Sequence, residues 1–127
     1  MSGNFVLKIL DRYRLKNRTV PILVEGKNDV GSLRRLSFDG EIITLNSGHS
    51  LVTLSGKISE DYREIIILTD FDRTGRELKS QLNLYLSGSG CRVDTYLWER
   101  LGRYLPVKTV EELPTSVLRI EKELGLQ

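Results

Sequence analysis

Two rhythms of apolar residues alternate along the chain: short unbroken runs, and stretches in which apolar positions recur every three or four residues. In residues 4–16, Val6, Ile9, Leu10 and Tyr13 fall at helical spacing and predict a short amphipathic helix. VPILVE at 20–25 reads as a buried strand. Residues 28–37 read as a helix with Val30, Leu33 and Leu36 inward, and EIITL at 41–45 as a second strand. Residues 46–50, Asn-Ser-Gly-His-Ser, are a loop by composition. A short helix follows over 51–60, weakened by Gly56 and its Ser and Thr positions. EIIILT at 64–69 is the clearest strand, and its successive apolar residues imply burial on both faces. A helix over 74–86 then aligns Leu78, Leu82 and Leu86, and residues 87–90 end it. Residues 91–96 predict a fourth strand and 97–104 a helix, which Pro106 interrupts. The last helix, 114–124, carries Val117, Leu118, Ile120 and Leu124 as its apolar stripe, with Pro114 in its first turn.

Strands that alternate with helices imply right-handed crossovers. The expected fold is therefore α/β: a three-layer α/β/α sandwich around a mainly parallel four-stranded sheet. The 127 residues fit one domain without repeats or linkers, large enough to bury a core. Hydrophobic residues at 39% and charged residues at 28% exclude a disordered chain. No apolar run approaches the ~20 residues of a membrane span. The N-terminal stretch lacks a secretory apolar core. Cys91, the single cysteine, excludes an internal disulfide and any multi-cysteine zinc module. A cytoplasmic protein with no membrane partner is the expectation. A net charge of +2 is too small to point to nucleic acid. Residues 1–20, however, carry Lys8, Arg12, Arg14, Lys16 and Arg18 against Asp11 alone. Such a segment suits either a phosphate backbone or a solvated helix face.

In parallel sheets ligands bind beyond the carboxyl ends of the strands. There the first strand runs into Glu25-Gly26-Lys27-Asn28-Asp29, and the third into Asp70-Phe71-Asp72-Arg73-Thr74-Gly75-Arg76. Asp70 and Asp72, two residues apart, can converge on one ion. Three carboxylates in one crevice repel one another and call for a cation. Oxygen ligands of this kind suit Mg²⁺ or Mn²⁺. Gly26 and Gly75 allow close approach of backbone or phosphate, and Arg73 and Arg76 supply positive charge beside the metal. The interval between Glu25 and Asp70 holds one further βα unit, so the two strands can be neighbours.

VEGKNDV and LTDFDRTGREL, taken together and in this order, resemble the two motifs of the Toprim domain found in bacterial-type primases, topoisomerases and the ribonuclease that matures 5S ribosomal RNA. The matching residues are Glu25, Gly26, Asp29, Asp70, Asp72, Arg73 and Gly75, and the resemblance covers about residues 19–97. The chain as a whole is similar to the small stand-alone primase-like Toprim proteins of archaea. The fourth strand lacks a clear signature, and no primase zinc module or topoisomerase tyrosine domain is attached. The resemblance implies a Rossmann-like fold, nucleic acid (RNA or DNA) as partner, and Mg²⁺-dependent phosphodiester chemistry of nuclease or nucleotidyl-transfer type. It implies that Asp70 and Asp72 hold the metal and that Glu25 is general acid/base or a further ligand. Lys27, Arg73 and Arg76 then orient phosphate, and water or a nucleotide hydroxyl attacks.

His49, in the loop after the second strand, is a phosphate contact on one reading and a solvated residue on the other. Asp94 can reach the crevice or simply occupy an alternating strand position. Cys91 reads as a small buried residue. Tyr96, Trp98 and Tyr104 could stack on bases, although Leu97, Leu101 and Tyr104 at helical spacing favour core. Two rival functions stand beside the metal-dependent enzyme: a Toprim module that binds nucleic acid or protein without turnover, and a haloacid-dehalogenase-type phosphatase built on DFDRT.

Overall fold

The computed structural model describes residues 2–45 and 48–126; Asn46 and Ser47 of the expected 46–50 loop lie outside them. The strands are β1 (Ile22–Val24), β2 (Ile42–Thr44), β3 (Glu64–Ile67) and β4 (Arg92–Asp94). They form one sheet in the order β2-β1-β3-β4, and every pairing is parallel. The helices are α1 (Ser2–Lys16), α2 (Lys27–Arg35), α3 (Leu51–Asp61), α4 (Arg73–Gly88), α5 (Tyr96–Tyr104) and α6 (Leu113–Glu123), with a 3₁₀ turn at Val110–Glu112.

Side chains alternate across a strand, so each strand feeds two cores. Ile22, Val24, Ile66 and Leu68 pack with the apolar residues of α1, α2, α5 and α6. Leu23, Ile65 and Ile67 pack with Leu54 and Ile58 of α3, Leu82 and Leu86 of α4, and Cys91. The result is the expected three-layer sandwich, with helices on both faces of the sheet. Asn17, buried at the end of α1, donates to the carbonyls of Val20 (3.0 Å) and Glu41 (3.1 Å) and accepts the Gly40 amide (2.9 Å). That knot ties α1 to the entries of β1 and β2.

The order of the strands creates the site. From β1 the chain passes through α2 to β2 on one side, then through α3 back across β1 to β3 on the other. The connections therefore diverge between β1 and β3, which opens a crevice at their carboxyl ends. The expected adjacency of the first and third strands holds, with Ile22 opposite Ile66 and Leu23 opposite Ile67.

Several boundaries move for identifiable reasons. α3 runs through Gly56 to Asp61, because Ser50 caps it by accepting the Thr53 amide at 3.1 Å. The strand expected over 91–96 ends at Asp94, whose carboxylate accepts the Tyr96 amide at 2.9 Å and turns the chain into α5. The stripe expected on α6 is corrected too. Leu113 and Val117 are buried and Ile120 packs against the core, whereas Leu118 and Leu124 are exposed. On α5, Leu97, Trp98 and Leu101 are buried, while Tyr104 sits at the exposed rim, edge-on to Phe5. Cys91 is buried as expected, and burial raises its thiol pKa.

Candidate metal and phosphate site

Glu25 leaves the end of β1 and Asp70 follows three residues after β3, so both emerge at the crevice. Glu25 Oε2 accepts the backbone amide of Asp70 at 2.8 Å, a bond between residues 45 apart in the chain. Asp70 Oδ1 accepts the Val110 amide at 2.8 Å. The Asp70 carbonyl accepts the Trp98 indole N–H at 3.2 Å, and buried Thr69 donates its hydroxyl to the Gly75 carbonyl at 2.7 Å. Asp70 is thus held by its neighbours' backbone and one indole. In each of the two carboxylates one oxygen is fixed by an N–H and the other lies outside that bond.

Gly75 shows why this spacing needs a glycine. A Cβ at that position would overlap the carbonyl oxygen of Asp70, so the first turn of α4 packs directly on the Asp70 backbone. Gly26 instead adjoins open space and lines the crevice. Its amide donates to Asp29 Oδ2 at 3.1 Å, and buried Asp29 closes the first turn of α2. Asp72 is the N-cap of α4 and accepts the Gly75 amide at 2.8 Å.

The crevice is an open cleft of about 500 Å³ lined by Glu25, Gly26, Lys27, Asn28, Asp29, Asp70 and Glu111. Its electrostatics are those of acids waiting for a countercharge. Burial raises the Glu25 pKa most; the Asp70 amide opposes this, and the charges of Asp70, Asp72 and Asp29 add to it. Burial likewise raises Asp70, against the Val110 amide and with the charges of Asp72, Glu111 and Glu112. Asp29 is raised by burial and, among nearby charges, by Asp70 and Glu111.

The remaining expected residues divide. Lys27 lines the cleft. Arg73 is exposed and pairs with Glu77 of its own helix at 3.3 Å, and Arg76 is exposed on the same helix; neither lines the cleft. His49 is exposed with Nε2 3.2 Å from Lys57 Nζ, also away from the cleft lining. Asp94 serves α1 instead of the crevice, accepting from Tyr13 Oη at 2.8 Å and Lys16 Nζ at 2.5 Å. The basic N-terminal segment is partly spent inside the fold. Lys16 bridges Asp94 and Glu64, and Arg14 donates to the Leu36 carbonyl at 2.6 Å. Three contributors carry no motif in the sequence: Val110 and Trp98, which hold Asp70, and Glu111 in the cleft wall.

Among the described residues no three Asp, Glu, His or Cys side chains form a preformed cation cage. The donor set still fits a hard cation of the Mg²⁺ type, which takes one or two carboxylates and keeps water for the rest. Glu25 and Asp70 offer that pair beside an open polar cleft.

A parallel sheet with acids at the carboxyl ends of its first and third strands defines a class. The profile of the Toprim domain matches residues 20–96, and the chain belongs to the Toprim family. It is 52% identical to a UPF0292 protein of Thermoplasma volcanium, over 93% of this chain and 100% of that protein. A UPF0292 protein of Pyrococcus abyssi is 42% identical over 78% of this chain and 75% of its own length. A solved structure of a protein from Aquifex aeolicus superposes with a TM-score of 0.72 at 27% identity, covering 81% of this chain and 93% of that one. Toprim domains carry out metal-dependent nucleic-acid chemistry and generally bind Mg²⁺ through acidic residues. Membership in this family sets aside the haloacid-dehalogenase reading of DFDRT. Among the described residues no helix is long and apolar enough to cross a membrane.

Proposed function

We propose that the chain performs Mg²⁺-dependent phosphodiester chemistry on nucleic acid, as a nuclease or nucleotidyl-transfer protein, with Glu25, Asp70 and Asp72 as its acidic centre. The observation that carries this reading is the Glu25–Asp70 hydrogen bond across the divergence of β1 and β3. It brings the acids of two distant motifs together at the edge where ligands bind in such sheets. A bound Mg²⁺ supplies Lewis acidity at phosphorus and acidifies water in its shell.

The chain's own residues supply the rest. Glu25, whose second carboxylate oxygen lies outside the bond to the Asp70 amide, takes a proton from the attacking water or nucleotide hydroxyl. The attacking oxygen bonds to phosphorus as the bond to the leaving oxygen breaks, and the leaving oxygen takes a proton from solvent water. Lys27, on the cleft wall, holds a phosphate oxygen. Gly26 leaves room for the backbone of the nucleic acid. Arg73 and Arg76, exposed at the start of α4, meet phosphates farther along the strand.

The test pairs turnover with binding. RNA and DNA cleavage and nucleotidyl transfer are assayed with Mg²⁺ for the native chain and Glu25→Gln. The expected result is a loss of about 10²–10⁴-fold in rate, with nucleic-acid affinity retained. A fully active Glu25→Gln protein contradicts the role given to Glu25. A native chain that binds nucleic acid but neither cleaves nor transfers favours the second reading, a binding module without turnover. That reading has its own support: Asp72 is engaged as a helix cap, and no cation cage is preformed among the described residues.

A further inference from the structure

The fold takes up Arg14 and Lys16, but Lys8 and Arg12 of α1 are exposed and enter no ion pair among the described residues. Both lie on the flank of α1 that meets α5. The rings of Phe5 and Tyr104 stand 5.2 Å apart, and the Arg12 guanidinium lies 5.4 Å from the centre of the Tyr96 ring. The two helices therefore run antiparallel, and Lys8, one turn from Phe5 and from Arg12, falls on the same stripe. On α5, Arg100 and Arg103 share the stripe that starts at Tyr96. Arg100 lies 4.9 Å from the Tyr96 ring centre and Arg103 5.8 Å from that of Tyr104. Neither has an acidic partner among the described ion pairs. The one acid of each helix is engaged elsewhere: Asp11 pairs with Arg14 at 2.7 Å, and Glu99 accepts the Thr95 hydroxyl at 2.7 Å.

We infer that the seam between α1 and α5 is a nucleic-acid track, on which Lys8, Arg12, Arg100 and Arg103 hold the phosphates of a strand whose reacting phosphate lies in the acidic cleft. The inference rests on nucleic acid as the partner proposed above. Its cations are oriented by packing instead of being neutralised by acids. Arg12 and Arg100 both rest on half-buried Tyr96, and Arg100 Nε is buried without an acceptor. A guanidinium held in that way keeps its charge and its outer donors for an anion. The seam also begins at the right place. Tyr96 opens α5 two residues after β4 ends, at the sheet edge where β3, the neighbour of β4, delivers Asp70. The cleft itself is lined by acids and repels a polyanion, so affinity for the strand has to come from another surface. Contacts of this kind read phosphate and not base, so the binding is tolerant of sequence.

The experiment follows the fluorescence anisotropy of fluorescein-labelled oligouridylate, and of oligothymidylate, as the full chain is added in EDTA, where no divalent cation contributes. Affinities over a salt series are compared for the native chain, Arg12→Gln/Arg100→Gln, Lys8→Gln/Arg103→Gln and the control Arg63→Gln/Lys122→Gln, whose cations are exposed on other elements. Circular dichroism checks the fold. Lys8 and Arg103 are exposed, so their pair carries the test even where loss of the Tyr96 contacts unsettles the other variant. Two lost phosphate contacts on a single strand lower the slope of log affinity against log salt by about 1.4, which is about 25-fold in affinity at about 0.1 M salt. Each seam pair is expected to show that loss, and the control pair little change. Seam pairs that bind like the control overturn the inference, while the catalytic reading keeps its own test in Glu25→Gln. A native chain that binds neither strand in EDTA overturns the inference; if it binds neither with Mg²⁺ as well, the proposed function falls with it. Binding to vesicles of anionic phospholipid but to neither oligonucleotide overturns the inference in favour of a lipid surface.

Discussion

Asp70 and Asp94 leave neighbouring parallel strands at the same edge of one sheet, and the fold treats them in opposite ways. Asp94 is answered by charge: Lys16 reaches it at 2.5 Å, Tyr13 donates to it, and the Tyr96 amide completes the set. Burial alone would raise its pKa, but these partners more than offset that and hold the carboxyl below its ordinary value. Asp70 receives a backbone amide and no cation among the described ion pairs, and its carboxyl is raised by burial and by surrounding acids. One carboxylate is a brace for α1. The other is held ready, by backbone geometry, for a charge the chain does not itself supply.

If the Asp70 loop is fixed by backbone packing, the largest disruption there is steric. Gly75→Ala should cost about 3 kcal/mol, because the added methyl overlaps the Asp70 carbonyl and the helix must shift. Urea unfolding measures this; a neutral Gly75→Ala would mean that the loop yields easily. If Asp94 is fixed by charge, the reverse pair of variants separates the regions. Asp94→Ala should destabilise by about 2 kcal/mol, since it leaves the Tyr13 hydroxyl and the Tyr96 amide without their acceptor and Lys16 with Glu64 alone. Asp70→Asn should leave stability unchanged or higher, because it removes one of several repelling acids. Equal destabilisation by both would erase the contrast. Asp72 sharpens it further: Asp72→Ala should lose about 1 kcal/mol with its cap, whereas Asp72→Asn keeps the cap. Any loss of Mn²⁺ affinity in Asp72→Asn then reports charge and not a frayed helix.

The smallest effect is the pH dependence. Asp94, lowered in the folded state, contributes stability above its unfolded value near 3.8, which is lost as pH falls through its folded value. Glu25, Asp29 and Asp70 are raised in the folded state. At neutral pH they bind fewer protons than folding favours, so stability grows as pH falls through their folded values toward the unfolded 4.5 and 3.8. Metal-free protein should therefore gain stability on mild acidification and lose it in stronger acid. Asp70→Asn should shrink the gain, and urea midpoints across that range show whether it does.

The parts legible in the sequence are those with local periodicity. Ile65 to Leu68 announce a doubly buried strand, and the acids that follow such strands at the carboxyl edge direct attention to Glu25 and Asp70. What stayed hidden depends on distant partners. Asp94 finds Tyr13 and Lys16 roughly eighty residues earlier, so its alternation along a strand says nothing of its role. Val110 meets Asp70 from forty residues away, and Glu111 belongs to a three-residue turn with no periodicity to read. Arg73 and Arg76 follow the DxD motif in sequence, yet α4 carries them along an exposed face instead of into the cleft. The cap made by Asp72 was readable in principle, since an Asp directly before a helical run is a favoured N-cap.

On this proposal the divalent cation belongs to the acids that follow β1 and β3, Glu25, Asp70 and Asp72, and not to Asp94 on the neighbouring strand. Paramagnetic broadening of amide signals by substoichiometric Mn²⁺ tests this residue by residue. The account predicts that Gly26, Asp70 and Phe71 broaden first, while the amides of Lys16, Asp94 and Tyr96 persist. Broadening centred on Asp94, or spread evenly over the exposed acids, would contradict it.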